Sequence, residues 1–167
     1  VKEAKKVLVT LADGTTNTIT DKTRQSVDDE DFSSAVYSKA DLVFNGSGTL
    51  NVNAGYRNGI KSTDDLKVVS GTFNITSNED GIIGKDFLGI KDGKFTIKSG
   101  SDGMKSTYDT DTSKGNIVIT GGEFDITASN DGVHCNEDIL ISGGNLTISS
   151  GDDGVHADDN LQVDGGT

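Results

Sequence analysis

Tryptophan and proline are absent, cysteine occurs once, and aromatic residues make up only 5% of the chain. A lone Cys135 admits no intramolecular disulfide, so cysteine usage says little about compartment. Basic residues are scarce, with 15 Lys and Arg against 27 Asp and Glu, for a formal net charge of -12. That balance argues against nucleic acid, whose phosphates need Lys and Arg to neutralise them, and against anionic membrane surfaces. It favours cations, and anionic ligands held through cations, although plain solubility accounts for the same number. No apolar run approaches the ~20 residues that span a bilayer, so no direct membrane insertion is expected. No signal peptide is visible at Val1, and a secreted protein reads the same way once its leader is cleaved.

What is present is glycine, 22 of 167 residues, and it is periodic. The 167 residues amount to one domain. Corners fall at Asn58-Gly59, Asp80-Gly81, Asp102-Gly103, Asp131-Gly132 and Asp153-Gly154, spaced by 22, 22, 29 and 22 residues. One coil thus carries a seven-residue insertion, near residues 107–113. Apolar columns keep the same register: Phe73, Phe95, Phe124, Leu146; Ile75, Ile97, Ile126, Ile148; Leu66, Leu88, Ile117, Ile139, Leu161; Val68, Ile90, Ile119, Ile141, Val163; and Ile60, Ile82, Met104, Val133, Val155.

Within a coil the pattern is short and of period two, as in Phe124-x-Ile126 and Ile139-x-Ile141, which marks strands with one buried face. Three such strands per coil, broken by Gly corners, cannot pair with one another. Each must pair with its equivalent one coil away, at the ~4.8 Å strand spacing. The columns then fill the bore of a quasi-one-dimensional core. The expected fold is all-β: a right-handed, single-stranded parallel β-helix of about five coils of roughly 22 residues. The corner glycines are expected to supply positive φ. A leucine-rich repeat has a similar length, but its Asn ladder and Leu-x-x-Leu-x-Leu spacing are missing. Gly-Gly pairs recur without the nine-residue period of a calcium-binding β-roll.

Residues 1–35 read as a cap: a hairpin of Val7–Leu11 and Asn17–Thr20 around Ala12-Asp13-Gly14, then an acidic loop from Arg24 to Asp31. Residues 36–167 read as the coils, the first of them irregular. The chain stops at Thr167, one residue short of the next Phe or Leu position. The natural protein is therefore expected to continue beyond it.

The corner acids Asp80, Asp102, Asp131 and Asp153 stack on successive coils above Asn58. Asp64, Asp86, Glu137 and Asp159 form a second column, with Asp65 and Asp138 alongside. Like charges at the coil spacing repel by about 1 kcal/mol per pair even near water. Such columns are tolerable if they fan into solvent or if hard cations sit between coils. Carboxylate, amide and backbone oxygens suit Ca²⁺, so these acids are candidate calcium ligands. Asp109 and Asp111 of the insertion join them, in a pattern like the start of an EF-hand loop without its closing Glu. The tendency of Asp to form turns explains the corner column equally well.

One position past the buried corner residue lie Lys61, Ile83, Lys105, His134 and His156. His134 and His156 are one coil apart, near Asp131 and Asp153, and read as a surface ladder rather than a catalytic base. Structural zinc sites are mostly built on N and S ligands. Cys135 falls among the small residues Ser62, Gly84, Ser106 and Ala157, and reads as a buried spacer.

The ordered string Tyr37-Ser-Lys-Ala-Asp-Leu42, Asn45-Gly-Ser-Gly-Thr-Leu50, Asn58-Gly-Ile-Lys-Ser62, Asp64-Asp-Leu66 and Asp80-Gly-Ile-Ile-Gly-Lys-Asp86 resembles a bacterial family. It is similar to the extracellular carbohydrate-binding β-helix domains akin to pectate lyases, over nearly the whole chain. The opening Leu11–Asp21 looks like that family's N-terminal segment. The resemblance implies a secreted or surface-attached protein that binds Ca²⁺ and plant-wall polysaccharide, acid sugars such as polygalacturonate in particular, with cellulose a further candidate. A -12 chain repels a polyuronate, so binding needs a bridge. Either Ca²⁺ on the acids serves, or local Lys61, Lys85, Lys91, Lys105 and His134, with His156 and Tyr56 as further candidate sugar contacts. With no Trp and three Tyr, a broad stacking platform for cellulose is hard to build. Two alternatives stand beside non-catalytic binding. A calcium-dependent pectate lyase would use Lys or Arg as the base, Lys105 being best placed. A structural or adhesive spacer would use its ions only for stability.

Overall fold

The computed structural model describes residues 3–22, 33–108 and 110–167. Among these residues there are nineteen strands in three sheets, and every strand pairing is parallel. The first sheet stacks β1 (Lys6–Leu11), β4 (Asp41–Gly46), β7 (Asp65–Val68), β10 (Phe87–Ile90), β13 (Asn116–Ile119), β16 (Ile139–Ile141) and β19 (Leu161–Val163). The second stacks β2 (Thr16–Asp21), β5 (Thr49–Ala54), β8 (Thr72–Ser77), β11 (Lys94–Ser99), β14 (Glu123–Ala128) and β17 (Asn145–Ser150). The third stacks β3 (Ser34–Ser38), β6 (Asn58–Ser62), β9 (Ile82–Gly84), β12 (Met104–Ser106), β15 (Val133–Cys135) and β18 (Val155–Ala157). Each group of three consecutive strands makes one turn of a parallel β-helix, giving six turns and one further strand among the described residues.

The apolar columns are in register as the spacing requires. Phe73 lies beside Phe95, Phe95 beside Phe124, and Phe124 beside Leu146. The Phe73 and Phe95 rings stack at 5.1 Å and 7°, and those of Phe95 and Phe124 at 4.8 Å and 3°. Alternation in β11 and β14 sends every second side chain into the bore, where Phe95, Ile97, Phe124 and Ile126 are buried. The insertion occupies the connection from β12 to β13, residues 107–115, where β9 and β10 are joined by two residues.

Two expectations are corrected. The N-terminal segment is not a hairpin: β1 pairs with β4 and β2 with β5, both parallel, in different sheets. Val7 and Val9 lie beside Leu42 and Phe44 and pack on the core, so the segment is the first coil, and its turn at Ala12-Asp13-Gly14 is a corner. Parallel stacking extends the bore columns by one coil, which an isolated hairpin cannot do. The acidic stretch from Arg24 to Asp31 lies outside the described residues.

The second correction concerns the Asp-Gly corners. Positive φ occurs at Gly71, Gly93, Gly122, Gly144 and Gly166, but not at Gly59, Gly81, Gly103 or Gly132. There the reason for glycine is proximity: a Cβ on Gly103 would lie 2.5 Å from the Gly132 carbonyl oxygen and from Ile126 Cγ2.

Candidate functional site

The corner acids turn one oxygen toward the stack. Asn58 Oδ1 accepts the backbone N–H of Asp80 at 3.0 Å, Asp80 Oδ1 that of Asp102 at 3.0 Å, Asp102 Oδ1 that of Asp131 at 3.1 Å, and Asp131 Oδ1 that of Asp153 at 2.9 Å. Each corner is thereby tied to the next, rather than to its own turn. These charge-assisted bonds make burial of a carboxylate tolerable, and Asp102 is 0% exposed.

The second oxygen of each acid meets the neighbouring outward row. Parallel register sets Tyr37, Lys61, Ile83, Lys105, His134 and His156 side by side on the third sheet. Lys105 Nζ lies 2.6 Å from Asp102 Oδ2 and 3.8 Å from Asp80 Oδ2. Burial pushes the Asp102 carboxyl upward, but the Lys105 and Asn130 hydrogen bonds outweigh it and hold the group below the ordinary carboxylate range. Burial likewise opposes the Lys105 ammonium, yet the bond to Asp102 and the Asp80 charge keep it above the ordinary lysine range. His134 Nδ1 stands 3.4 Å from Asp102 Oδ2 and 3.7 Å from Asp131 Oδ2. His156 Nδ1 stands 3.9 Å from Asp131 Oδ2 and 3.2 Å from Asp153 Oδ2.

Below the histidines the same face opens into a cleft of about 310 Å³, lined by Ser33, Arg57, Asn58, Lys61, Glu79, Asp80, Ile83, Lys85, Lys105 and Thr107. Four cations and two acids line it, with Lys105 also held by Asp102 at 2.6 Å and Arg57 paired with Glu79 at 3.7 Å. The insertion borders this region: Tyr108 lies under Lys85 Nζ at 5.2 Å and Lys114 Nζ at 4.6 Å. Lys61, Lys85 and Lys105 thus meet in one cleft, while His134 and His156 continue the row beyond it. Tyr56 stands at the β5–β6 corner, with the Arg57 guanidinium 5.3 Å from its ring centroid, outside the cleft lining. Arg57 and Glu79 were not singled out as cleft residues from sequence. Their only signal is the position before each corner, occupied by five different residue types.

The other acids are dispersed. Asp64 and Asp65 meet Asp41, with an oxygen of each within 4.8 Å of the others. Asp41 was not among the acids picked from sequence. Burial, and then the Asp41 and Asp86 charges, push the Asp64 carboxyl above its ordinary value. Asp65 also pairs with Lys67 at 2.7 Å. Asp86 binds Lys114 at 2.6 Å through Oδ2, while its buried Oδ1 has no hydrogen-bond partner among the described residues. Asp111 accepts from the Ser113 N–H and hydroxyl, which closes a local turn. Asp138 accepts from Asn160 at 2.8 Å, and Asp159 is exposed. Asp109 lies outside the described residues. Cys135 is fully buried between Ser106 and Ala157, and burial raises its thiol to about 11.

A family model described as carbohydrate-binding domain-containing protein matches residues 1–167. The chain belongs to this family. A carbohydrate-binding domain-containing protein of Acetivibrio thermocellus is 36% identical to the domain over 78 residues, which is 45% of this chain and 27% of that protein. The domain therefore spans well under two thirds of that relative. The solved structure of the polysaccharide lyase-like protein from C. thermocellum, a gadolinium derivative, matches the domain with a TM-score of 0.94 and 30% identity, covering 99% of this chain and 69% of that one.

Proposed function

We propose that this domain binds acidic polysaccharide without cleaving it, through the cleft on the third sheet, and that it works outside the cell. The observation that carries the reading is the convergence of Arg57, Lys61, Lys85 and Lys105 in one groove of a chain whose net charge is -12. A polyuronate needs such a cationic track, since the rest of the surface repels it. Calcium is the proposed cofactor, with Asp41, Asp64 and Asp65 as its best-assembled ligands. Burial and then the neighbouring acids raise the Asp64 carboxyl, and a divalent cation among Asp41, Asp64 and Asp65 would offset both. Lys105 supports binding over lyase chemistry. It is held to Asp102 and kept protonated, so it does not take up a proton near neutral pH.

The test is retention of the protein on immobilised polygalacturonate, compared with its methyl ester and with cellulose, with unsaturated product followed by ultraviolet absorbance. Retention on the free acid that weakens with salt, and is lost in Lys61→Gln/Lys85→Gln, supports the reading. Product formation would overturn it, as would equal retention on the ester.

A further inference from the structure

The two histidines of the third sheet do more than continue a polar row. Both turn Nδ1 toward the same atom, Asp131 Oδ2, at 3.7 Å for His134 and 3.9 Å for His156. His156 Nδ1 also lies 3.2 Å from Asp153 Oδ2. Apart from that last distance, these are long for hydrogen bonds, which favour about 2.7–3.2 Å. They match another pattern. In a tetrahedral shell with bonds of about 2.1 Å, neighbouring ligand atoms stand roughly 3.4 Å apart.

A separate observation comes from the far side of the His156 ring. Its Nε2 lies 3.2 Å from Asp158 Oδ1, a residue outside the converging group. A carboxylate on one ring nitrogen fixes the proton there and leaves the other nitrogen as a lone-pair donor, the arrangement that supports metal-bound imidazoles. The two rings stand 5.1 Å apart, as one coil's rise requires.

We propose that Asp131 Oδ2, Asp153 Oδ2 and His156 Nδ1, whose ligand atoms all lie within 4.8 Å of one another, form a binding site for a divalent transition ion of the zinc class, with solvent completing the shell. The neighbouring trio Asp102, Asp131 and His134 is less suitable, because the Lys105 ammonium already occupies Asp102 Oδ2 at 2.6 Å. Imidazole nitrogen selects against Ca²⁺, which takes oxygen ligands. Asp153 and His156 are both open to solvent, so the ion can enter from outside and can exchange one ligand for water or an anionic oxygen. The site is distinct from the Asp41, Asp64 and Asp65 group and stands whether or not that group holds calcium.

The experiment titrates the untagged, chelator-treated full chain with zinc sulfate by calorimetry, with and without tenfold excess calcium chloride. Cobalt(II) is substituted in parallel and read by visible absorption. One equivalent of Zn²⁺, undisplaced by Ca²⁺, and a tetrahedral cobalt spectrum are expected. Binding disappears in His156→Ala and weakens by about 10–100-fold in Asp158→Asn. Both substitutions lie on an exposed coil, and circular dichroism checks that the fold is kept. Absence of Zn²⁺ binding, equal affinity in His156→Ala, unchanged affinity in Asp158→Asn, or displacement by Ca²⁺ each overturns the assignment.

Discussion

Asp80 Oδ1 accepts the backbone N–H of Asp102, 22 residues along the chain and one coil up, at 3.0 Å. The bond joins consecutive corners, and Asn58 makes the same bond to Asp80 with an amide oxygen. Geometry, not charge, is thus the requirement at this position.

Asp80→Asn is therefore expected to change stability by no more than about 0.5 kcal/mol, whereas Asp80→Ala should cost about 1–3 kcal/mol by leaving a buried N–H unpaired. Urea denaturation of both variants measures the difference. Equal losses would show that the charge, rather than the acceptor, matters.

Lys105→Met is expected to cost about 2 kcal/mol, since it strips the charged partner from a buried carboxylate. The cost should depend on pH at both extremes. Asp102 titrates below 3.8 when folded, so its contribution is complete above that value and lost as pH falls through the lower folded one. Lys105 titrates above 10.5, so its contribution is complete below that value and lost as pH rises through the higher folded one. Stability curves of wild type and variant should run parallel near neutrality and converge at both ends.

Asp64 has the opposite sign. Its folded carboxyl titrates above 3.8, so the native state binds the extra proton in that window and loses stability as pH rises through it. Asp64→Asn should therefore raise the melting temperature in EDTA at neutral pH. It should also remove any rise that calcium produces in wild type. A lower melting temperature in EDTA would contradict the burial and repulsion described for this cluster.

Gly103 and Gly154 occupy the same corner position, yet a Cβ on Gly154 meets nothing within 4 Å. Gly103→Ala should cost more than about 3 kcal/mol or prevent folding, because backbone and a buried Ile must both yield. Gly154→Ala should stay within about 1 kcal/mol of wild type. Thermal melts separate a steric cause from a conformational one, since a φ requirement would penalise both alike.

Cys135 should resist thiol reagents in the native state at pH 8, given its burial and a thiol raised to about 11. It should react promptly in 6 M guanidinium. Stoichiometric labelling of native protein would mean that the coil opens locally.

The coil and its core were legible in the sequence because one-coil pairing turns a spatial stack into a fixed period. Phe73, Phe95 and Phe124 can be aligned by counting. The first coil was not legible, because its spacing to the next is longer: Val7 meets Leu42 and Leu42 meets Leu66. Without the period, two strands around a Gly turn look like a hairpin. The Lys61, Lys105, His134 and His156 row followed from the same counting. The fate of each corner oxygen did not, since residue type alone does not tell whether an acid binds its own turn, an ion or the next coil. Asp41 escaped notice for the reason the first coil did.

The corner bond also makes the coil a countable part. Its donor and acceptor are one repeat apart, so excision of residues 80–101 would set Asp102 where Asp80 stood, above Asn58, with every bore column realigned. Removing ten or fifteen residues from the same stretch would instead misalign corners and columns together. Part of a coil can be added only where it bulges from a connection, as residues 107–115 do while Leu88 still meets Ile117; a strand or corner can be removed only with its whole coil.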